Sequence, residues 1–361
     1  MSVERVGVVG AGLIGASIGM ALRRAGQDVV LVDQDSEHAR TAAALGAGRA
    51  GAWSDLAECD HVVLAVPPGV VGGALVAVQR ITLDATVSDV SSIKVKVLVE
   101  VQTSAADPTQ FCGGHPIAGR ERGGPTAAVP ELFDESVWVL TPSVMTGRQA
   151  AEDVAELARR CGARPVRMTA AAHDSALAVV SHAAQVVAST LAAQLVGADQ
   201  AALVLAGSGF RDTTRLADSD PGLWADIAVA NRVALADSLR RIRDDLDLIR
   251  RGLEGGDPTA LTDVMRRGRA ARASLPGKAG RTAPIWSRVG VVLQDQPGEL
   301  ARLFGVAGGA GVNIEDVTID HATDHPVGLV ALDVRPEDAE RLTLAVGAAG
   351  WHAIELTPRR L

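Results

Sequence analysis

The chain is poor in the residues that would tie it to nucleic acid, to a metal or to an oxidising compartment. Aromatic residues make up 2% of its 361 positions, tyrosine is absent, and the formal net charge is -8. Phosphate binding needs clustered Lys and Arg, and no basic stripe with interleaved aromatics occurs, so no nucleic-acid partner is expected. Cysteine appears only as Cys59, Cys112 and Cys161. They stand far apart, without the CxxC or Cys/His spacing of a zinc site, and an odd, sparse count does not read as a disulfide framework. No charged-then-apolar signal segment opens MSVERVGVVG, and no apolar run reaches the length of a membrane span. The reading is a cytoplasmic protein with no membrane partner and no metal. His321 and His325 in DHATDH stand four apart, but on an expected strand-to-strand turn, and read as a solvated loop.

What is present is largely apolar. Hydrophobic residues make up 47% of the chain, enough to bury a substantial core. Its length exceeds one ordinary core, so two or three domains are expected. The first, over residues 1–168, reads as an α/β Rossmann-type dinucleotide-binding domain. RVGVVGAGLIGASIGMALRRAG is a short apolar strand, a glycine turn and a helix. DVVLVDQD, CDHVVLAVPP and ATVSDVSSIK follow as strands, with SVWVLTP and ARPVRMT as later ones. Strands alternating with helices imply a parallel, doubly wound sheet.

GxGxxG alone is a weak signal, but here it follows a strand, opens a helix and precedes an acidic residue about 20 positions on. Gly10 permits the tight turn, Gly12 lets a pyrophosphate approach the backbone, and Gly15 lets helix and strand pack closely. Leu13 and Ile14 open the helix whose N–H groups face the diphosphate, and Val66 and Pro67 follow a neighbouring strand. Asp33 would accept from the adenosine ribose hydroxyls. A carboxylate there repels a 2′-phosphate, and Gln34 and Asp35 offer no cation, so NAD is favoured over NADP. GASIG also matches a GxSxG nucleophile elbow, but the glycines already occupy the strand-to-helix corner and Ser17 falls inside the helix, so the match reads as coincidence.

Residues 169–280 read as all-α. AAHDSALAVVSHAAQVVASTLAAQLV is Ala-rich with helical period, and PGLWADIAVANRVALADSLRRIRDDLDLIRRGLE is a long amphipathic helix or a kinked pair. Much of the region is apolar on more than one face, which suits burial against another subunit. After the Gly/Pro-containing linker ASLPGKAGRTAPIWS, residues 287–361 give strand, helix, strand, strand, helix, strand, a βαββαβ module of ferredoxin-like type.

Candidate chemistry lies beyond the carboxyl ends of the strands, where such sheets bind ligands. DVSSIK ends one strand, and GGHPIAGRERGG comes soon after another. Its His115 could deprotonate or polarise a substrate hydroxyl, and Ser92 could hold the same hydroxyl or the imidazole. Without further context, a lone histidine in a glycine loop is more often structural. In SGFRDTTRLADSDPGLWADIAVAN, Arg211 and Arg215 lie on one side of a helical turn beside Asp212. Arginine suits a bidentate carboxylate grip, though both could simply pair with nearby acids on a solvated helix.

GAGLIGAS, DVSSIK, GGHPIAGRERGG, the AHD…SH segment and GFRDTTRLADSDPGLWADI, in this order, resemble prephenate dehydrogenase and its arogenate-using relatives in tyrosine biosynthesis. The resemblance covers roughly residues 5–280. It implies NAD-dependent oxidation of a cyclohexadienyl C4 hydroxyl as the ring carboxylate leaves as CO2. It implies His115 as acid–base catalyst with Ser92 beside it, Arg215 on a substrate carboxylate, and Glu121 and Trp224 at the pocket edges, with Ser181 and Arg211 also counted as substrate contacts. It also implies a homodimer through the helical domain. The tail from about Ser287 resembles an ACT domain through DQPGEL and GAGVNI, which implies an aromatic amino acid effector.

The chain departs from the family where a second histidine is usual: Gln185 can hydrogen-bond but carries no charge. That departure leaves open a related amino-substituted prephenate as substrate, and a non-catalytic NAD or amino-acid sensor is the reading outside enzymology. Asp218 and Asp220 follow Arg215, and Asp220 could favour the ammonium of arogenate or could cap the helix at Pro221. His173 and Asp174 match a family HD pair, for which packing of the helices is the expected role. The lack of tyrosine would suit an enzyme made when tyrosine is scarce.

Overall fold

The computed structural model describes residues 5–119, 122–275, 285–321 and 327–360. The chain forms two compact units, Met1–Pro258 and Thr259–Leu361. This division falls inside the stretch expected to be one helical region, so the helix Thr259–Ala273 belongs to the second unit.

The first unit is built on eight strands: β1 (Arg5–Val9), β2 (Asp28–Val32), β3 (Arg49–Ala50), β4 (His61–Leu64), β5 (Thr86–Asp89), β6 (Phe111–Pro116), β7 (Val137–Thr141) and β8 (Arg164–Arg167). Their order is β3-β2-β1-β4-β5-β6-β7-β8. The direction of winding reverses between β1 and β4, which creates the crevice where doubly wound sheets bind dinucleotides. The central strands read as continuous apolar runs because both faces are covered. Val8, Ile18, Val63 and Leu140 belong to one core cluster, and Val30, Leu64, Leu75 and Val97 to another.

A parallel sheet is the expectation throughout, but β6 and β7 run antiparallel. The reason is the connection. Among the described residues between the two strands there are turns and the short 3-10 stretch Pro125–Ala127 and no crossover helix, and a chain that does not cross over returns antiparallel. Ser17 lies inside the helix Leu13–Arg24, where its Oγ accepts the Val129 N–H at 3.1 Å, a structural role rather than a nucleophilic one.

The helical part starts with Ala170–Leu177, widens into a π-helical turn at Ala178–His182 and continues as Ala183–Ala193. Contrary to the expectation from the sequence, this run, Ala170–Ala193, is apolar and long enough to cross a membrane by length and composition. It also carries the buried His173, Asp174, His182 and Gln185, each with a named hydrogen-bond partner, as in a core helix. The second amphipathic segment is a kinked pair, Pro221–Ala230 and Arg232–Glu254, broken at Asn231. Val179, Val180, Val229 and Val233 are more than half exposed, an apolar surface available to a partner.

The second unit carries β9 (Ile285–Gln294), β10 (Asp316–His321), β11 (Val327–Val334) and β12 (Ala353–Arg360), with helices Glu299–Gly309 and Pro336–Ala348. The sheet is antiparallel in the order β10-β11-β9-β12, so the expected βαββαβ succession is present. Val291, Leu303, Leu332 and Leu342 fill its core, and Arg288 grips Asp333 across the β9–β11 register with two bonds of 2.8 Å. His325 of the DHATDH loop lies outside the described residues.

The glycine turn is where a small change should matter most. A Cβ on Gly15 would sit 1.9 Å from the Gly10 carbonyl oxygen, so helix and turn would have to separate. Gly15→Ala should cost roughly 1–3 kcal/mol of stability. It should also weaken dinucleotide binding about tenfold or more, because the same loop approaches the pyrophosphate. Thermal unfolding and a dinucleotide titration check both parts, and an unchanged melting temperature would show that the turn has slack.

Candidate active site

The dinucleotide side follows from the turn after β1. Gly10 has φ of 97° and its missing Cβ would meet the Ala65 carbonyl oxygen at 2.2 Å, so only glycine fits. A Cβ on Gly12 would meet nothing within 4 Å, and that open space is what a pyrophosphate needs. The helix begun by Leu13 and Ile14 has no side-chain cap at Gly12, which leaves its first-turn N–H groups for an anion. Asp33 stands directly after β2. Its Oδ2 accepts the Ala11 N–H at 2.6 Å and its Oδ1 the Asp35 N–H at 2.8 Å. The carboxylate therefore braces the glycine loop, and its remaining lone pairs are available to ribose hydroxyls. Val66 packs beside Gly10 past the end of β4, with Pro67 next to it and exposed. These residues fit a bound NAD.

His115 lies near the carboxyl end of β6. The glycines before it serve packing: a Cβ on Gly113 would meet the Thr141 hydroxyl at 2.5 Å, and one on Gly114 the Asp89 carbonyl oxygen at 2.7 Å. Lys94 pins the same strand. Its Nζ donates to Gly114 O at 2.6 Å and pairs with Asp89 at 2.5 Å, both side chains being buried. Asp89 in turn accepts the N–H groups of Gly114 and Ser91, each at 3.0 Å. Burial pushes the Lys94 amine down from its ordinary range, while Asp89 opposes that shift.

The HD pair does more than pack helices. Nδ1 of His115 lies 2.8 Å from Nε2 of His173, and Nδ1 of His173 lies 2.7 Å from Asp174 Oδ1. Asp174 also accepts the backbone N–H groups of Lys94 at 2.8 Å and Val95 at 2.9 Å. Burial favours the neutral acid at Asp174, but His173 and these N–H groups hold its carboxyl below the usual range. Burial, followed by Lys94, His173 and His182, holds His115 well below the ordinary imidazole value, so it is neutral at physiological pH. The network continues through Asn231, whose Nδ2 donates to Asp174 O at 2.8 Å and to His182 Nδ1 at 3.0 Å. The His182 ring then meets Trp224 edge-on at 6.0 Å.

Arg215, Gln185 and Trp224 line one cleft together with Gly119, Arg122 and Ser219. Gln185 spends its amide on structure: Nε2 donates to Leu216 O at 2.7 Å, and Oε1 accepts from Ser219 Oγ at 3.4 Å. It thus fixes the 3-10 turn Arg215–Asp218 that presents the arginine. Ser181 is half-buried in the π turn. Ser92 is half-buried on the turn after β5, and among the described residues it makes no hydrogen bond to His115. Arg211 is exposed on the helix Ser208–Thr214 and does not line the cleft. Asp220 is the N-cap of Pro221–Ala230, its Oδ1 accepting the Leu223 N–H at 2.7 Å, so the expected capping role is present. Glu121 lies outside the described residues. Sequence reasoning gave no role to Asp89, Lys94, His182 or Asn231, although Asp89 and Lys94 begin and end DVSSIK, His182 belongs to the SH pair and Asn231 closes the stretch that holds Arg215.

The family model for the prephenate dehydrogenase nucleotide-binding domain matches residues 18–167, and that for the prephenate dehydrogenase dimerization domain matches residues 169–267. The chain is 34% identical to a probable prephenate dehydrogenase of Streptomyces niveus over 96% of its own length and 98% of the relative's. A crystal structure of A. aeolicus prephenate dehydrogenase, in complex with hydroxyphenyl propionate and NAD+, is 26% identical with a TM-score of 0.70, covering 76% of this chain and 99% of that one. The Synechocystis arogenate dehydrogenase structure is 29% identical with a TM-score of 0.65, covering 74% of this chain and 98% of that one. With both domain models in sequence order and a relative matched along almost its whole length, the chain belongs to the prephenate dehydrogenase family.

Proposed function

We propose that the protein catalyses NAD-dependent oxidative decarboxylation of prephenate, arogenate or both, in tyrosine biosynthesis. The observation that carries this reading is the neutral imidazole of His115 near the carboxyl end of β6. β6 runs parallel to β5 and, through β4, to β1, so His115 lies on the same side of the sheet as the glycine loop and Asp33.

NAD, when bound, supplies the hydride acceptor for C4. His115 takes the C4 hydroxyl proton as hydride leaves that carbon. The C1–carboxylate bond then breaks, CO2 departs, and its electron pair closes the aromatic ring. The proton returns from His115 to the phenolate oxygen, so none is consumed. Aromatisation supplies the driving force, and the chain's own task is orientation and charge placement. Arg215 holds a substrate carboxylate, with Trp224 and Ser181 at the pocket walls and Ser92 beside the hydroxyl. Gln185 orients the Arg215 turn.

The functional protein is a homodimer through the apolar faces of the helical part, supported by the exposed Val179, Val180 and Val233. A cytoplasmic location suits its three free cysteines, all buried, with burial pushing the thiol of Cys59 up to about 11 and that of Cys112 up to about 12. The C-terminal unit is an ACT-type sensor for an aromatic amino acid. Its βαββαβ order and a small depression on the DQPGEL turn, lined by Asp295, Gln296 and Glu299, support that role.

His115→Asn should lower kcat about a hundredfold or more and leave NAD affinity nearly unchanged, since general acid–base groups contribute on that scale. Because the imidazole sits below its ordinary 6.5, the base form persists into mildly acidic solution. The wild-type kcat/KM profile should stay flat below pH 6.5 and fall only as pH drops through the lowered value. Normal turnover by the mutant would remove His115 from the mechanism. Arg215→Ala should raise substrate KM with little change in kcat, through loss of a charge-assisted contact of roughly 2–5 kcal/mol; steady-state kinetics decide. Deletion after about Pro284 should leave an active dimer that no longer responds to tyrosine. Equal inhibition of full-length and truncated enzyme would place the inhibitor at the active site instead.

A further inference from the structure

We propose that Asp174 and His173 are positioning residues that lock His115 in the tautomer with its proton on Nδ1, leaving Nε2 as the proton acceptor for the substrate hydroxyl. The inference rests on the acid–base role of His115 given above and specifies how the fold enforces it.

The order of protons follows from one fixed end. Asp174 can only accept. Its Oδ1 takes the Lys94 N–H and its Oδ2 the Val95 N–H, and these bonds together with His173 favour the carboxylate over the neutral acid, so Asp174 brings no proton of its own. The proton in the 2.7 Å contact between Asp174 Oδ1 and His173 therefore sits on His173 Nδ1. A singly protonated His173 then has a bare Nε2. That nitrogen faces His115 Nδ1 at 2.8 Å, a distance that requires a proton between them, and only His115 can supply it. A neutral His115 with its proton on Nδ1 carries its lone pair on Nε2. Among the described residues this Nε2 has no hydrogen-bond partner.

The same chain serves the charged state. When the hydroxyl proton moves to Nε2, His115 becomes an imidazolium and still donates Nδ1–H to His173. The positive charge then lies one imidazole away from the Asp174 carboxylate. When the proton returns to the phenolate oxygen, His115 regains its starting form. No proton leaves the relay, so the pair acts through His115 and never touches the substrate. The rings meet edge-on, with centroids 5.1 Å apart and planes at 74°, so the contact runs through the hydrogen bond and not through stacking.

The test reads the tautomer directly. Histidine-labelled wild-type enzyme, free of substrate near pH 7.5, is examined by 15N NMR, with His115→Asn used to assign the signals. The expected result is a protonated-type Nδ1 and an unprotonated-type Nε2 for His115. A proton on Nε2 would overturn the proposal, and would mean that His173 carries two protons. Two variants carry the functional arm. His173→Leu removes the acceptor while filling the space, and should lower kcat about a hundredfold with KM changed by less than about threefold. His173→Gln keeps an oxygen that can accept from Nδ1–H, and should recover about tenfold of that loss. Equal kcat in the two variants would mean that His173 only fills volume, which also overturns the proposal. If His173→Leu fails to fold, the wild-type spectrum decides alone. The spectrum needs no turnover, so failure of the relay is distinguishable from failure of His115 as the acid–base group.

Discussion

Much of the site depends on the buried pair of Lys94 and Asp89. The ammonium clasps the end of β5 and the backbone of β6 at once, because it bonds both Asp89 and the Gly114 carbonyl. The main-chain N–H of the same lysine reaches Asp174, so the helical part of the first unit is fastened to the sheet at the same residue. Removing one member of such a pair strands the other charge away from water, which typically costs about 3–5 kcal/mol. The arrangement explains why His115 can be held so firmly on a strand whose own neighbours are glycines. Those glycines let Asp89 and Thr141 come close, and the lysine then fixes the spacing.

A consequence is that the His115 cluster is assembled from three separate stretches. His115 and His173 are 58 residues apart in sequence, and Asn231 joins the cluster from 57 residues beyond Asp174. Each stretch contributes something the others lack: a rigid strand, a carboxylate fixed by backbone N–H groups, and an amide that links Asp174 to His182. The surroundings are dry enough to keep His115 neutral, and Lys94 adds to that by disfavouring a second positive charge nearby.

The Rossmann half was legible because its signals are local. The turn glycines, the apolar strands and Asp33 sit within one short segment, and each has a single steric or electrostatic reason. The βαββαβ tail was legible for the same reason. The β6–β7 reversal was not, since it depends on the absence of a crossover helix in a long glycine-rich connection. The site was legible only in part. His115, Arg215, Gln185 and Trp224 stood out in motifs, and the cleft gathers the last three. Lys94 and Asn231 lay in quoted motifs without a readable role, because nothing in a sequence marks a lysine that will be buried or an asparagine that will bridge two helices. Asp220 was ambiguous for a physical reason: a carboxylate just before a proline suits a helix cap and a ligand contact equally, and the 2.7 Å bond to Leu223 shows the cap.

The π-helical turn at Ala178–His182 adds a different point. An ordinary helix advances about 100° per residue, so the nine steps from His173 to His182 would put the two rings on opposite sides. The wider turn absorbs about one residue, which brings them to within roughly 80° of each other. Both then meet the cluster around Asn231, and Gln185, farther along, faces the Arg215 turn. The rotational phase of the second half of this helix is therefore set by a single surplus residue. Gaining or losing one position there would swing Gln185 and Ser189 about a quarter-turn around the axis while leaving both flanking helices intact. In such a helix the side chains facing the cleft can be exchanged wholesale by a change in length, without any substitution.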